Sequence, residues 1–246
     1  MTVGVRQSRA RGQHFLRSSA LAADIVRAAG IRPGELVFDL GAGTGVLTAA
    51  LARAGADVVA VELDPVLASQ LRQRFPRVVE ADGRRVPLPR EPFRVVANLP
   101  FDGGTAILRR LLDDANLSSA DVILQWEVAA KRSAVWPSTA LGVVWAASFE
   151  LTLVRRLPRE VFAPVPAVDA GVLRAVRRPK PLVPPGQVRR YAQFVHAGFR
   201  HGPRAVAPSL TLKRLAHDRG FPVRARPCDL DATAWASLYH AVRRTR

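Results

Sequence analysis

The sequence is short of several features, and each shortage excludes a class of protein. It has one cysteine, Cys228, in 246 residues, which excludes an internal disulfide and a zinc site built from several cysteines. No apolar run reaches the roughly 18 residues that a membrane helix needs. Residues 1–12 are polar and basic, so we expect no secretory signal. Five histidines lie scattered without ligand spacing, which predicts no metal site. A cytoplasmic globular protein is expected.

The last part of the chain is also short of acidic residues. The whole sequence has 37 Lys and Arg and 20 Asp and Glu, a net charge of +17, and residues 177–246 hold 15 of the former against 3 of the latter, a net +12. A GC-rich coding bias exchanges lysine for arginine but does not remove acids from one segment. Charge concentrated in this way is typical of a protein that binds a polyanion. We therefore predict a nucleic-acid partner, with an acidic membrane or protein surface as the alternative.

The chain is organised around a glycine-rich turn in residues 36–45, LVFDLGAGTG. The apolar residues at its start predict a buried strand, and residues 44–54 have the pattern of a helix. Glycine at such a strand-to-helix turn accepts positive φ and lets a ligand approach the backbone closely. The three glycines are Gly41, Gly43 and Gly45.

The spacing of this turn favours one class of cofactor. A dinucleotide site has the pattern G-x-G-x-x-G, and here the third glycine comes one residue early, which disfavours NAD. The next predicted strand, 58–62, ends in Glu62, which is placed to hold the two hydroxyls of a ribose. A third strand leads to Asp82, whose carboxylate can accept a hydrogen bond from the amine of an adenine or can simply close a turn. The glycine turn and Glu62 together predict an adenosine-containing cofactor without a pyrophosphate, with S-adenosyl-L-methionine as the leading candidate.

A second informative stretch follows the fourth predicted strand, 93–97. Asn98 offers an amide oxygen, and the carbonyl of Leu99 can point the same way because Pro100 fixes the next φ. Phe101 supplies a flat face for a base. This arrangement suits a target amine held by two acceptors while its ring is stacked; a turn with a packed aromatic ring is the structural alternative.

The rest of the chain alternates between strands and helices, which predicts a largely parallel sheet covered on both sides. The predicted elements are a helix after Ser18, helices over 65–75 and 103–112, a strand over 121–127, an exposed loop from Lys131, a strand or strand pair over 141–154, and a last strand over 171–176. Four prolines between residues 179 and 185 mark a linker, and three segments with helical spacing and basic faces follow it.

Residues 12–176 resemble the ribosomal RNA adenine N6-methyltransferases. This superfamily contains the Erm macrolide-lincosamide-streptogramin B resistance enzymes and the KsgA small-subunit dimethyltransferases. The resemblance rests on GQHFL at 12–16, DLGAGTG at 39–45, Glu62, Asp82, NLPF at 98–101 and FAPVPAVD at 162–169. DNA adenine enzymes more often have proline in the second place of the third motif, so Leu99 favours the RNA branch.

The resemblance implies an α/β fold, a Rossmann-like methyltransferase with a mostly parallel seven-stranded sheet, a last antiparallel strand and a small helical C-terminal domain. It divides the chain into a flexible basic arm (1–12), a catalytic domain (13–178) and a basic helical RNA-binding domain (183–246). The implied cofactor-binding residues are His14, Leu16, Gly41, Gly43, Glu62, Asp82 and Asn98. The motif Asn98, Leu99, Pro100 and Phe101 would be catalytic, and the target adenine would stack between Phe101 and Phe162. A monomer without a metal is expected.

Two positions depart from the family pattern, and other functions remain open. His14 stands where most relatives have asparagine, although an imidazole can still donate one hydrogen bond, and Ala167 stands where an RNA-contacting lysine is usual. The short, basic tail favours an Erm-type enzyme acting on 23S rRNA, and KsgA-like dimethylation of 16S rRNA is the alternative. A non-catalytic nucleic-acid-binding relative is the alternative of another class. A small-molecule methyltransferase would not explain the basic tail.

Overall fold

The structure, a computed structural model, describes residues 13–220 and 224–244, and for Arg219 only the backbone. The predicted flexible arm, 1–12, lies outside the described residues. The chain divides into two compact units. The first comprises the residues up to Ala129 together with Thr152–Val176, and the second comprises Ala130–Leu151 and the residues from Arg177 onward.

The described residues form nine strands and ten α-helices. The strands are β1 (Phe15–Leu16), β2 (Leu36–Leu40), β3 (Asp57–Glu62), β4 (Val78–Glu80), β5 (Phe93–Asn98), β6 (Leu117–Gln125), β7 (Phe149–Leu157), β8 (Phe162–Ala163) and β9 (Ala170–Arg177). The helices are α1 (Ser19–Ala29), α2 (Val46–Arg53), α3 (Pro65–Arg72), α4 (Gly104–Asp113), α5 (Trp126–Ser133), α6 (Ala140–Ala146), α7 (Val188–His201), α8 (Pro203–Val206), α9 (Ser209–Arg219) and α10 (Ala232–Arg244).

Seven strands form one sheet in the order β4-β3-β2-β5-β6-β9-β7. The strands from β4 to β6 pair in parallel, and β9 runs antiparallel to β6. The predicted mostly parallel seven-stranded sheet is confirmed, as is its antiparallel late strand. Because the chain continues from β2 to β3 on one side and returns to β5 on the other, the strand order reverses at β2. Ligands of open α/β sheets bind beyond the carboxyl ends of the strands at such a point.

The helices begin and end at residues that the sequence marks. Ser18 caps α1 by accepting a hydrogen bond from the amide of Leu21 at 3.1 Å, and Gly30 ends that helix with φ of 64°. Asp64 caps α3, which begins at Pro65. Both helices start with a side chain that satisfies an otherwise unpaired backbone amide. The described residues contain no helix that is long and apolar enough to cross a membrane.

Two sequence-based element assignments are wrong. The predicted strand or strand pair over 141–154 is instead α6 followed by β7. Thr139 accepts a hydrogen bond from the amide of Gly142 at 3.1 Å, and this cap starts a helix whose Val143 and Trp145 are buried. The predicted loop at Lys131 belongs to α5, which also takes Trp126 from the end of the predicted fifth strand. Packing of one helix face overrides the strand preference of these apolar residues.

The second unit has its own core, formed by helices. Trp235 and Tyr191 lie fully buried at its centre, and a Cβ at Gly198 would come within 2.3 Å of the Trp235 ring. Val143 and Ala147 of the segment 130–151 belong to the same core. The catalytic domain predicted as one continuous stretch, 13–178, therefore differs from the observed compact unit, because the apolar face of α6 packs with the C-terminal helices.

Candidate active site

The first unit contains a cavity of about 340 Å³, at the lower end of the range usual for small-molecule sites. Its walls come from the carboxyl ends of β2, β3 and β5, from the segments that follow β4 and β5, and from the residues around β1. The lining residues are Gln13, His14, Phe15, Gly41, Glu62, Leu63, Ala81, Asp82, Gly83, Arg84, Asn98, Leu99, Pro100, Asp102 and Ile107.

Glu62 closes the glycine-rich turn from the neighbouring strand. Its carboxylate is buried, and its two oxygens accept hydrogen bonds at 2.8 Å from the amides of Gly43 and Asp64. Because each carboxylate oxygen has two lone pairs, both oxygens can still accept a hydrogen bond from a hydroxyl group of a ligand. Gly41 borders the same cavity at φ of 77°. The Glu62 carboxylate is therefore a fixed hydrogen-bond acceptor beside the backbone of Gly41, which has no side chain to block a ligand.

Gly43 serves the turn through packing. Its φ is 56°, and a Cβ there would come within 2.6 Å of the Phe15 ring. The ring of Phe15 thus lies directly against the turn, and only glycine permits that approach. Gly43 is not among the residues that line the cavity, and its role in cofactor binding stays a prediction.

Asp39, at the end of β2, is a buried carboxylate next to the turn. Its Oδ2 accepts a hydrogen bond from the Thr48 hydroxyl at 2.6 Å, and its Oδ1 has no partner. Burial, and secondarily the charge of Glu62, raises the pKa of Asp39 from 3.8 to about 7. A second cavity, of about 20 Å³, is lined by Leu16, Asp39 and Asn98 among others, and this is enough for one water molecule.

This carboxylate makes stability depend on pH. Because the pKa of Asp39 is raised to about 7 in the folded chain, its contribution is favourable below about pH 4 and is lost as the pH rises through 7. Asp39→Asn removes the charge, so we expect the variant to gain about 1–3 kcal/mol over the wild type at pH 8. Thermal unfolding at pH 5 and pH 8 measures this. The exposed Asp24→Asn is the control, and a gain for Asp39→Asn that does not change with pH would contradict the assignment.

Asn98 lies at the end of β5 with one polar atom committed and one not. Its Nδ2 donates to the carbonyl of His14 at 2.6 Å, and its buried Oδ1 has no partner. The amide nitrogen therefore fixes the side chain and leaves the oxygen as an acceptor. Leu99, which is buried, and Pro100 line the cavity beside it.

The short strand β1 fixes the segment whose His14 carbonyl accepts the hydrogen bond from Asn98. It pairs with β8, with Phe15 opposite Ala163 and Leu16 opposite Phe162. The ring of His14 donates through Nδ1 to the carbonyl of Pro164 at 2.8 Å, so this histidine is anchored by its side chain. His14 lines the cavity, whereas Leu16 is buried in the core and lines only the small second cavity.

The two aromatic residues predicted to sandwich a base differ in their surroundings. Phe162 is fully buried, and its ring meets that of Phe101 edge to face, with centroids 6.0 Å apart and planes at 70°. A base cannot enter between rings in this arrangement, so the predicted sandwich is absent from the structure. Phe101 is only partly buried and also contacts the His14 ring at 5.0 Å between centroids. Phe162 therefore packs against the Phe101 ring and supports its position.

Asp82 is paired more fully than the sequence suggested. Nε of Arg84 donates to both carboxylate oxygens at 3.0 Å, Nη2 donates to Oδ2 at 2.7 Å, and the Arg84 amide donates to Oδ1 at 2.8 Å. The Arg84 side chain thereby holds the pKa of Asp82 below its usual range. Both residues line the cavity. A ligand amine at Asp82 must share this carboxylate with Arg84.

Seven of the predicted site residues reach the cavity, and four do not. Those that line it are His14, Gly41, Glu62, Asp82, Asn98, Leu99 and Pro100, and those that do not are Leu16, Gly43, Phe101 and Phe162. Sequence reasoning missed Asp39 and Arg84 as members of the site. The position of Arg84, only two residues after Asp82, was the signal that could have predicted its pairing with that carboxylate. Among the described residues no cluster of three or more His, Cys, Asp or Glu side chains is arranged to hold a metal ion.

The character of the cavity decides which cofactor it suits. Its buried side-chain groups are acceptors: the Glu62 carboxylate and the unpartnered oxygen of Asn98. Such a set fits hydroxyl and amine donors and a positively charged sulfonium, and it repels a pyrophosphate. The residues present therefore fit S-adenosylmethionine. The fold and this site define a Rossmann-like, S-adenosylmethionine-dependent methyltransferase.

Comparison with known proteins gives the family. A family model described as ribosomal RNA adenine dimethylase matches residues 5–218. The mycinamicin-resistance protein MyrB of Micromonospora griseorubida is 35% identical over 243 residues, which cover 94% of this chain and 78% of that protein. Ribosomal RNA small subunit methyltransferase A of Streptomyces avermitilis is 35% identical over 216 residues, covering 80% and 72%. The crystal structure of the 23S rRNA methyltransferase ErmE matches with a TM-score of 0.82 at 28% identity, covering 93% of this chain and 99% of that one.

The chain therefore belongs to the ribosomal RNA adenine dimethylase family. This confirms the resemblance that the sequence motifs indicated.

Proposed function

We propose that the protein transfers a methyl group from S-adenosylmethionine to N6 of an adenine in 23S rRNA and thereby confers macrolide-lincosamide-streptogramin B resistance. The observation that carries the chemistry is Asn98, whose amide nitrogen is bound to the His14 carbonyl while its buried Oδ1 has no partner. An oxygen held in this way is an acceptor prepared for an amine. Acting on rRNA, the protein would work in the cytoplasm, and we propose that it acts as a monomer.

The N6 amine of adenine is a poor nucleophile because its lone pair is delocalised into the ring. Oδ1 of Asn98 and the carbonyl of Leu99 accept hydrogen bonds from the two N–H groups of the amine and favour a tetrahedral nitrogen with its lone pair directed at the methyl group. S-adenosylmethionine bound in the cavity supplies that methyl group as an electrophile. As the N–C bond forms, the S–C bond breaks and the donor would leave as a neutral thioether; the cationic nitrogen then loses one proton to water, so no strong base is required. Positioning and charge stabilisation therefore provide most of the catalysis.

Phe101 supplies the stacking face, and Glu62, Gly41 and Asp82 hold the cofactor. Taking an adenine out of its stack costs a few kcal/mol, less in an unpaired loop, and stacking on an aromatic ring returns about 1–3 kcal/mol. Phe162 acts by supporting the Phe101 ring at 6.0 Å between centroids.

Replacing the stacking face should act on the RNA more than on the cofactor. Phe101→Ala is expected to raise KM for rRNA by about tenfold, since a stacked base loses its partner, and to change the Kd for S-adenosylmethionine by less than threefold. Steady-state kinetics with each substrate varied, together with calorimetry, measure the two effects. A larger effect on the cofactor than on the RNA would count against stacking on Phe101.

The choice of 23S over 16S rRNA rests on coverage. The structure of the 23S rRNA methyltransferase ErmE matches 93% of this chain with a TM-score of 0.82 and 28% identity, whereas the match to ribosomal RNA small subunit methyltransferase A covers 80% of it at 35% identity. The experiment offers labelled S-adenosylmethionine with protein-free 23S rRNA and, separately, with small ribosomal subunits, and maps the labelled base. We expect N6-methylated adenine in 23S rRNA. Label in the small subunit alone would favour 16S rRNA as the substrate.

A further inference from the structure

Trp136, in the second unit, is an aromatic residue that the site above does not use. It is 63% exposed, whereas Trp145 and Trp235 of the same unit are 3% and 0% exposed. Tryptophan is rarely left this exposed in a folded protein, and aromatic residues are enriched where proteins meet a partner. Val135, next to it, is also exposed, at 52%.

The segment that carries Trp136 is held in place by hydrogen bonds. The indole Nε1 donates to the carbonyl of Asp229 at 3.2 Å. Ser138 donates from its amide to the carbonyl of Cys228 at 2.9 Å and from its buried hydroxyl to the carbonyl of Leu230 at 2.7 Å. The first of these bonds holds the indole by its N–H and the other two hold the segment, while 63% of Trp136 stays exposed. An aromatic face ordered in advance loses little conformational entropy when a partner binds.

The surroundings of the ring favour a polyanion. Two acidic side chains belong to or adjoin the anchoring segment 227–230: Asp229, whose carboxylate is paired with Arg226 at 3.0 Å, and Asp231, whose carboxylate accepts a hydrogen bond from the amide of Ala234 at 2.7 Å. The Arg226 side chain is itself 76% exposed, and residues 177–246 carry a net charge of +12. Among macromolecules, single-stranded nucleic acid combines negative charge with flat apolar surfaces, and such strands are bound by basic surfaces with exposed aromatic rings.

We infer that Trp136 is a stacking residue for an unpaired base of the RNA substrate, separate from the adenine that enters the methyl-transfer cavity. This rests on the proposed function and deepens it by naming a second RNA contact. The contact is made through the ring face, and the indole N–H keeps the ring in position.

Two substitutions separate stacking from anchoring. Trp136→Ala should raise the Kd for protein-free 23S rRNA about tenfold, and Trp136→Phe should stay within about twofold of the wild type because it keeps an aromatic face while losing the Nε1 donor. Both should bind S-adenosylmethionine as the wild type does. Leu210→Ala is the matched control, since Leu210 is 79% exposed and apolar, and it should leave RNA binding unchanged.

The salt dependence and the fluorescence give readouts that a purely structural role would not move. Stacking releases no counterions, so Trp136→Ala should weaken binding at every salt concentration without changing the slope of log Kd against log salt. In the wild type, 23S rRNA should quench part of the tryptophan fluorescence and protect it from acrylamide. Both changes should be largely absent in Trp136→Phe.

Three outcomes would overturn the inference. One is wild-type RNA affinity in Trp136→Ala, and another is equal weakening by Trp136→Phe, which would leave only an anchoring role. The third is unchanged binding to protein-free rRNA with weaker binding to intact ribosomal subunits, which would indicate a protein partner. Methyl transfer to rRNA by the wild type is measured in parallel: its absence would refute the proposed function, whereas transfer with any of the three outcomes would refute only the role of Trp136.

Discussion

Asn98→Ala should lower methyl transfer by about a hundredfold or more while S-adenosylmethionine still binds. The substitution removes the only side-chain acceptor of the proposed amine clamp, and the loss of one positioned hydrogen-bonding group in an active site typically costs 10²–10³ in turnover. It also frees the carbonyl of His14, which now accepts from Asn98 Nδ2 at 2.6 Å. Single-turnover kinetics with labelled S-adenosylmethionine and calorimetric titration of the cofactor measure the two effects separately.

A matched control tests whether any asparagine of this unit would give the same result. Asn116 is partly buried, and its Nδ2 donates to the carbonyl of Pro89 at 3.2 Å, away from the cavity. Asn116→Ala should keep wild-type turnover even if it lowers stability slightly. Turnover by Asn98→Ala at the wild-type rate would refute the role assigned to its Oδ1.

Glu62→Gln should weaken S-adenosylmethionine binding by about a hundredfold. A hydrogen bond to a charged group contributes about 1.5–3 kcal/mol, and a ribose diol would make two to this carboxylate. The change also places an NH2 group where an oxygen now accepts from the amide of Gly43 or Asp64 at 2.8 Å. The melting temperature should therefore fall by several degrees. Calorimetry well below the melting temperature keeps the binding effect apart from unfolding.

Glu80→Gln is the control for this prediction. Glu80 lies opposite Glu62 in the register of the neighbouring strand β4, but its side chain is 43% exposed and forms an ion pair with Arg72 at 3.1 Å. A surface pair of this kind contributes little, so cofactor affinity and melting temperature should stay near the wild type. Equal losses in Glu62→Gln and Glu80→Gln would show that the effect comes from removing a charge at this edge of the sheet.

The sequence predicted that Gly41, Glu62 and Asn98 lie together, because each follows from the local order of strand and turn. The glycine turn, Glu62 and Asn98 each follow a strand, and strands that run in parallel bring their carboxyl ends to one edge. Residues far apart in the chain could thus be placed together from the pattern alone. The same logic predicted the seven-stranded sheet, whose order reverses at β2.

The features that could not be predicted from the sequence depend on side-chain packing and on contacts between distant segments. The helical state of α6 follows from the burial of Val143 with the C-terminal helices, which no local preference reveals. Phe162 lies in β8, which pairs with β1, and it is fully buried, so an aromatic residue predicted to stack on a base packs against the Phe101 ring instead. Arg84 forms an ion pair with Asp82, and this contact depends on the side-chain geometry within one turn.

The most direct test of the account is a crystal structure with S-adenosylmethionine bound. We expect the ribose hydroxyls at Glu62 and the sulfonium methyl facing the space between Asn98 Oδ1 and the Leu99 carbonyl, with an opening wide enough for a nucleobase beside Phe101. A methyl group that faces away from Asn98, or an opening closed to a base, would contradict it.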